Sequence, residues 1–132
     1  MNEKETIQKI LKMKTIAVVG LSPKEIRPSH RVAKYLQSAG YKIIPVNPGH
    51  PEILGEKSYP TLKDIHLEVD IVDVFRRSEF VMPITEAALE IGAKAIWFQD
   101  GVINAEAAKK AEEAGLLVVM DDCILRQHQA NG

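Results

Sequence analysis

Short apolar runs alternate along the chain with segments in which apolar positions recur every three or four residues. The runs Thr15 to Val19, Lys42 to Val46, Asp70 to Val74, Ala95 to Phe98 and Leu116 to Met120 are rich in Val and Ile, the pattern of strands buried on both faces. Thr6 to Met13 places Ile7, Ile10 and Leu11 at helical spacing among lysines, which predicts a surface helix. A second helix is expected from Ser29 as N-cap, with Val32, Ala33, Leu36 and Ala39 inward and Gly40 as the stop. A third should begin near Pro83, bury Ile84, Ala87, Ala88 and Ile91, and stop at Gly92. A fourth should run from Asn104 to Gly115 with an alanine face against the sheet. The Pro- and Gly-rich stretch "NPGHPEILGEKSYP" reads as a loop, followed by a short helical turn at Thr61 to Asp64.

Strands alternating with helices imply right-handed crossovers and a parallel sheet covered on both faces. The expected fold is therefore α/β: a single Rossmann-like doubly wound domain with a five-stranded parallel sheet, spanning residues 1–132. Composition narrows the partner. The chain is 45% hydrophobic and 27% charged with a formal net charge of −1, so it offers nucleic acid no broad cationic footprint. The single Cys123 cannot form an intrachain disulfide, and no apolar run is long enough to span a membrane or serve as a signal-peptide core. A cytoplasmic protein with a small-molecule ligand is the expectation.

In doubly wound sheets ligands bind beyond the carboxyl ends of the strands, where the winding reverses. The loop after the first strand, "GLSPKEIR", carries the most chemistry there. Gly20 permits a sharp bend, and the helix that follows directs its amides and positive dipole end toward an anion. Ser22 adds a hydroxyl, and Lys24, Arg27, His30 and Arg31 concentrate cationic or hydrogen-bonding groups around it. A nicotinamide dinucleotide site would have small residues where Ser22 and Glu25 stand, and a ribose-binding acid after strand two, where this chain has Asn47 and Pro48. A different phosphorylated nucleotide fits better.

The strings "AVVGLSPKEIRPSHRVAKYL", "IIPVNPGHPEILGEKSYPTL", "VDIVDVFRRSEFV" and "KAIWFQDGVINAEAAKKAEEAGLLVVMDDC" together resemble the small bacterial coenzyme A-binding proteins. These in turn are similar to the N-terminal domain of the succinyl-CoA synthetase α subunit and of related NDP-forming acyl-CoA synthetases. The resemblance implies coenzyme A, or an acyl-CoA, as ligand. It implies that Gly20, Leu21, Ser22 and Pro23 approach the pyrophosphate with Arg27 and Arg31 as phosphate partners. It further implies that Asn47 and Pro48 flank the adenosine or ribose, that Val74, Phe75 and Arg76 wall the cleft, and that Gln99 hydrogen-bonds an amide of the pantetheine arm. An arginine is the more usual residue of the family at Asp122; this acid and Asp100 would either weaken anion binding or pair with Arg76 or Arg77. Trp97, alternating within its strand, reads as core.

The related synthetases require a phosphorylatable histidine in a following domain, so their reaction does not carry over to this sequence. No nucleophile elbow, Cys/His pair or carboxylate dyad stands out, and the four histidines lack metal-ligand spacing. The favoured reading is a binder or sensor. Two alternatives stay open: an enzyme dependent on NAD(P) or acyl-CoA, and a module whose interaction with a partner is controlled by the bound nucleotide. The alanine-rich helix could serve a homodimer or another protein partner, although packing on the sheet explains the same alanines. Cys123 could form a mixed disulfide with the ligand's thiol, or simply be a small residue at the start of the C-terminal segment.

Overall fold

The computed structural model describes residues 1–131. Five parallel strands form the central sheet: β1 (Thr15–Val19), β2 (Lys42–Val46), β5 (Ile71–Val74), β6 (Ala95–Phe98) and β7 (Leu117–Met120), in the order β2-β1-β5-β6-β7. The chain winds outward from β1 to β2, then returns across the sheet to β5 on the other side of β1, so the winding reverses between β1 and β5. A single α/β domain of the expected Rossmann-like class results.

Strand parity divides the core into two layers. Ile16, Val18, Ile71, Trp97 and Val119 point to the face covered by α1 (Lys4–Leu11), α2 (Pro28–Ser38) and α5 (Ile124–Asn131). Ala17, Val72, Val74, Ile96, Phe98 and Val118 point to the face covered by α3 (Val81–Glu90) and α4 (Ala105–Glu113). Ala107, Ala108 and Ala111 of α4 are fully buried, which lets that helix lie close to the strands. Trp97 is core as expected, its indole N–H donating to the Asp122 carbonyl at 2.9 Å.

Several expectations are corrected in detail. Ser29 does not cap α2: Arg27 takes the N-cap position and Pro28, its φ already suited to a helix, opens the first turn. The buried stripe of α3 is Val81, Thr85 and Ala88, while Ile84 and Ala87 are only partly buried, because with Pro83 they lie on the side of the helix that lines the cleft described below. Asp70 precedes β5 instead of belonging to it. Its carboxylate accepts the Lys14 and Thr15 amides at 3.1 Å each and meets Lys94 at 3.2 Å, tying the amino ends of β1 and β6 together. Burial pushes that carboxyl up, but the two amides and the ammonium outweigh it and hold Asp70 below the usual carboxylate range. Within the expected loop lies a small antiparallel hairpin, β3 (Glu52–Ile53) with β4 (Glu56–Lys57), closed by Leu54 and Gly55 in the left-handed region. The turn at Leu62–Asp64 forms as a 3₁₀ helix capped by Thr61.

Candidate functional site

In register, Val19 stands beside Val46 on one side and Val74 on the other, so the loops after β1, β2 and β5 open at one level. Between them lies a cleft of about 1080 Å³, at the upper end of the roughly 300–1000 Å³ common for small-ligand sites. It sits at the reversal of winding, where this architecture binds ligands.

The bend at Gly20 is dictated by crowding. Its φ is +86°, and a Cβ there would lie 2.4 Å from the Phe75 carbonyl oxygen, so only glycine lets the β1 loop cross β5. Beyond the bend the chain folds on itself. The Ser22 amide donates to Ser29 Oγ at 3.0 Å, the Lys24 amide to Ser22 Oγ at 3.1 Å, and His30 Nδ1 contacts the Ser22 carbonyl at 2.9 Å. His30 is thus buried as a brace beneath the loop, away from the phosphate position its sequence context suggested. Asn47 joins the opposite rim: its amide nitrogen donates to the Leu21 carbonyl at 2.9 Å, and its oxygen accepts from the Gly49 amide at 2.8 Å.

These bonds shift the electrostatic weight of the site. Pro28 has no N–H, and the amides of Ser22 and His30 are engaged within the loop and first helical turn, so few backbone donors remain for an anion. Side-chain cations take their place. Lys24, Arg27, Lys63 and Arg76 all line the cleft, together with His50, and no Asp or Glu is among the described residues that line it. Lys24, Arg27 and Arg76 enter no ion pair among the described residues; Arg76 lies over the Phe80 ring at 5.4 Å. The remaining walls are apolar: Pro60 and Leu62 on one side, and Pro83, Ile84 and Ala87 of α3 on the other.

Of the twelve residues expected at the site, Gly20, Ser22, Pro23, Arg27, Asn47, Pro48, Phe75 and Arg76 line this cleft. Four lie outside it. Leu21 is fully buried in the layer beneath α2, and Val74 in the opposite layer. Arg31 is exposed one helical turn beyond Arg27 and is not among the residues that line the cleft. Gln99, 3% exposed, turns inward and donates to Asp73 Oδ1 at 2.5 Å instead of offering its amide to a ligand. Phe75 does two jobs at once, packing against the core and lining the cleft.

A model of the family described as CoA binding domain matches residues 14–129. This chain belongs to that CoA-binding family. YneT of Bacillus subtilis, an uncharacterized protein, is 48% identical over 126 residues, covering 95% of this chain and 93% of YneT. ADP-forming acetate–CoA ligase I of Archaeoglobus fulgidus is 24% identical over 128 residues, and the match covers 89% of this chain but only 19% of the ligase. Among solved structures, a hypothetical protein from Pyrococcus horikoshii OT3 superposes with a TM-score of 0.93 at 44% identity, over 97% of this chain and 91% of that one. The match thus spans about a fifth of the ligase's length and nearly all of the two smaller proteins.

Three features of this domain escaped the sequence reading. Lys63 and the wall of Pro60 and Leu62 reach the cleft only because the 3₁₀ turn folds back against α3, which no local pattern announces. Asp73, fully buried in mid-strand, has Oδ2 without a partner, and burial pushes the carboxyl up to about 7 against the pull of the Gln99 bond. An acid inside the apolar run "VDIVDVF" was the available signal for it. Finally, Asp100 and Asp122 pair with neither Arg76 nor Arg77. Both bind Arg126 of α5, at 2.9 and 2.8 Å, because that helix folds back over the ends of β6 and β7.

Proposed function

We propose that this domain holds coenzyme A, or an acyl derivative, in the cleft between the loops after β1, β2 and β5, as a non-catalytic binder or sensor. One observation carries the reading: a cleft lined by four cations, bounded by apolar walls and free of carboxylates among its described lining residues. A pyrophosphate suits the Gly20 bend, where the planar guanidinium forks of Arg27 and Arg76 can each hold two oxygens. Ser22, whose oxygen already accepts from Lys24, still has its own O–H to donate. The adenosine fits the neighbouring rim at Pro48, with the apolar walls taking the base or the pantetheine arm.

A binder is favoured over an enzyme by the same lining. Apart from His50, its titratable side chains are Lys and Arg, with no carboxylate or thiol poised as nucleophile, and Cys123 lies outside the cleft.

Calorimetric titration of ligand-stripped protein with coenzyme A, dephospho-coenzyme A, NAD, NADP and ATP at fixed salt tests the proposal. Selective binding of coenzyme A is expected. Arg27→Ala should weaken it by about 10- to 100-fold, the size of a lost charge-assisted hydrogen bond, without altering thermal stability. Binding of nicotinamide cofactors alone would overturn the reading, and unchanged affinity in Arg27→Ala would remove that residue from the site.

A further inference from the structure

The cations of the cleft fall into two groups. Lys24 and Arg27 belong to the loop before α2, and Arg76 joins them, its Cδ lying 3.2 Å from where a Gly20 Cβ would stand. Lys63 comes from the other wall, the 3₁₀ turn that packs against α3. That turn is rigidly held. Asp64 Oδ2 accepts from the Thr61 amide at 3.0 Å and from the Thr61 hydroxyl at 2.8 Å, while Leu62, 3% exposed, anchors it in the core. Lys63 is therefore a flexible side chain on a fixed base.

Its partner in the structure is Glu90 of α3, at 3.0 Å, with side-chain exposures of 61% and 59%. Such an exposed pair contributes little and exchanges readily for a stronger anion. A phosphomonoester dianion is one. A ligand carrying a pyrophosphate and a separate phosphomonoester on its ribose has two anionic centres, and this cleft has two cationic ones facing it from different elements.

We infer that Lys63 reads the 3′-phosphate of the bound nucleotide, leaving Glu90 for it, and so distinguishes coenzyme A from nucleotides that lack that group. The inference rests on the coenzyme A reading above. In it the Gly20 loop supplies the affinity common to pyrophosphates, and Lys63 supplies the preference among them. Glu90 acts as a competitor that holds the ammonium when no second phosphate is present.

The test compares coenzyme A with dephospho-coenzyme A on wild type, Lys63→Gln and Glu90→Gln by calorimetry. Lys63→Gln should weaken coenzyme A about tenfold, one charge-assisted contact, and leave dephospho-coenzyme A within about twofold, collapsing the preference between them. Glu90→Gln should tighten coenzyme A alone, by about two- to threefold, by releasing Lys63 from an exposed pair. Firm wild-type binding with an unchanged ratio in Lys63→Gln would overturn the assignment of Lys63 while leaving the coenzyme A reading intact. Failure of the wild type to bind either compound would overturn both.

Discussion

Two neighbourhoods share the carboxyl end of one sheet and treat charge in opposite ways. Around β1 and β5 the chain gathers Lys24, Arg27 and Arg76 and gives them no acidic partner among the described residues. Around β6 and β7, on the other half of the same sheet, it gathers Asp100, Asp121 and Asp122 and satisfies each one. Arg126 bridges Asp100 and Asp122, and Asp121 accepts the Gly101 amide at 2.8 Å. Contact with Arg126 holds Asp100 below the ordinary carboxylate range, and Asp100 and Asp122 together raise Arg126 further. Cations gathered on one cleft without an acid among its described lining residues are what the proposed function reads as a ligand site, whereas the acids of the other neighbourhood are bonded within the chain.

The largest effect on that contrast should come from Gly20→Ala. A left-handed φ and a Cβ 2.4 Å from the Phe75 oxygen force the bend apart, at about 3 kcal/mol or more in stability. Coenzyme A binding should disappear with it, both outcomes being read by chemical denaturation and titration. A stable variant that still binds would show that the bend does not position the cationic loop.

Asp73 tests the boundary between the two neighbourhoods, since it lies on β5 yet bonds to Gln99 just past the end of β6. Its folded value of about 7 stands well above the ~3.9 of an unfolded aspartate, so the folded state retains its proton longer. Below pH ~4 both states are protonated and the group is neutral to stability. As pH rises to about 7 the unfolded chain releases its proton first, and stability falls. Between pH 5 and pH 8 this group alone should remove about 2–3 kcal/mol, and Asp73→Asn should lose that slope in urea unfolding measured at both pH values. Equal slopes in the two proteins would mean that Asp73 is not held protonated.

The smallest effect belongs to Arg126→Ala. Arg126 and Asp100 are more than half exposed, and the less exposed Asp122 keeps its bonds from the Cys123 amide and Gln127, so stability should drop by only about 1 kcal/mol, and coenzyme A affinity should stay within about twofold. A large loss of affinity would tie the acidic neighbourhood to the ligand and dissolve the contrast.

The alternation of apolar runs with amphipathic segments made the fold legible, because strands buried on both faces and helices with one apolar stripe leave different periods in the chain. Gly20, Ser22 and Arg27 were legible for a related reason: they sit directly after a strand, where the topology alone puts them at the cleft. Gln99 was misplaced because strand parity, not proximity to a strand end, decides its direction. It shares the face of Trp97 and Asp73 and so turns under α2 and α5. Lys63 was invisible for want of any local rule that brings a turn 43 residues beyond Gly20 to the same cavity. The helix α5 was missed as well, its mixed polar face giving only Ile124 and Leu125 as a signal, although it supplies the Arg126 that neutralises the far edge.

The amide of Asn47 has a consequence for how such a domain can change its ligand over generations. A carboxylate at the end of the second strand is what a nicotinamide dinucleotide site uses to grip ribose. Here that position donates to the Leu21 carbonyl and accepts from the Gly49 amide, clasping both rims of the cleft. A carboxylate has no N–H to give Leu21 and would set two oxygens against each other. The cofactor switch is therefore not one step away: the route from one nucleotide to the other passes through a chain whose clasp is open, and the two rims must find a new fastening before the new ribose contact is of any use.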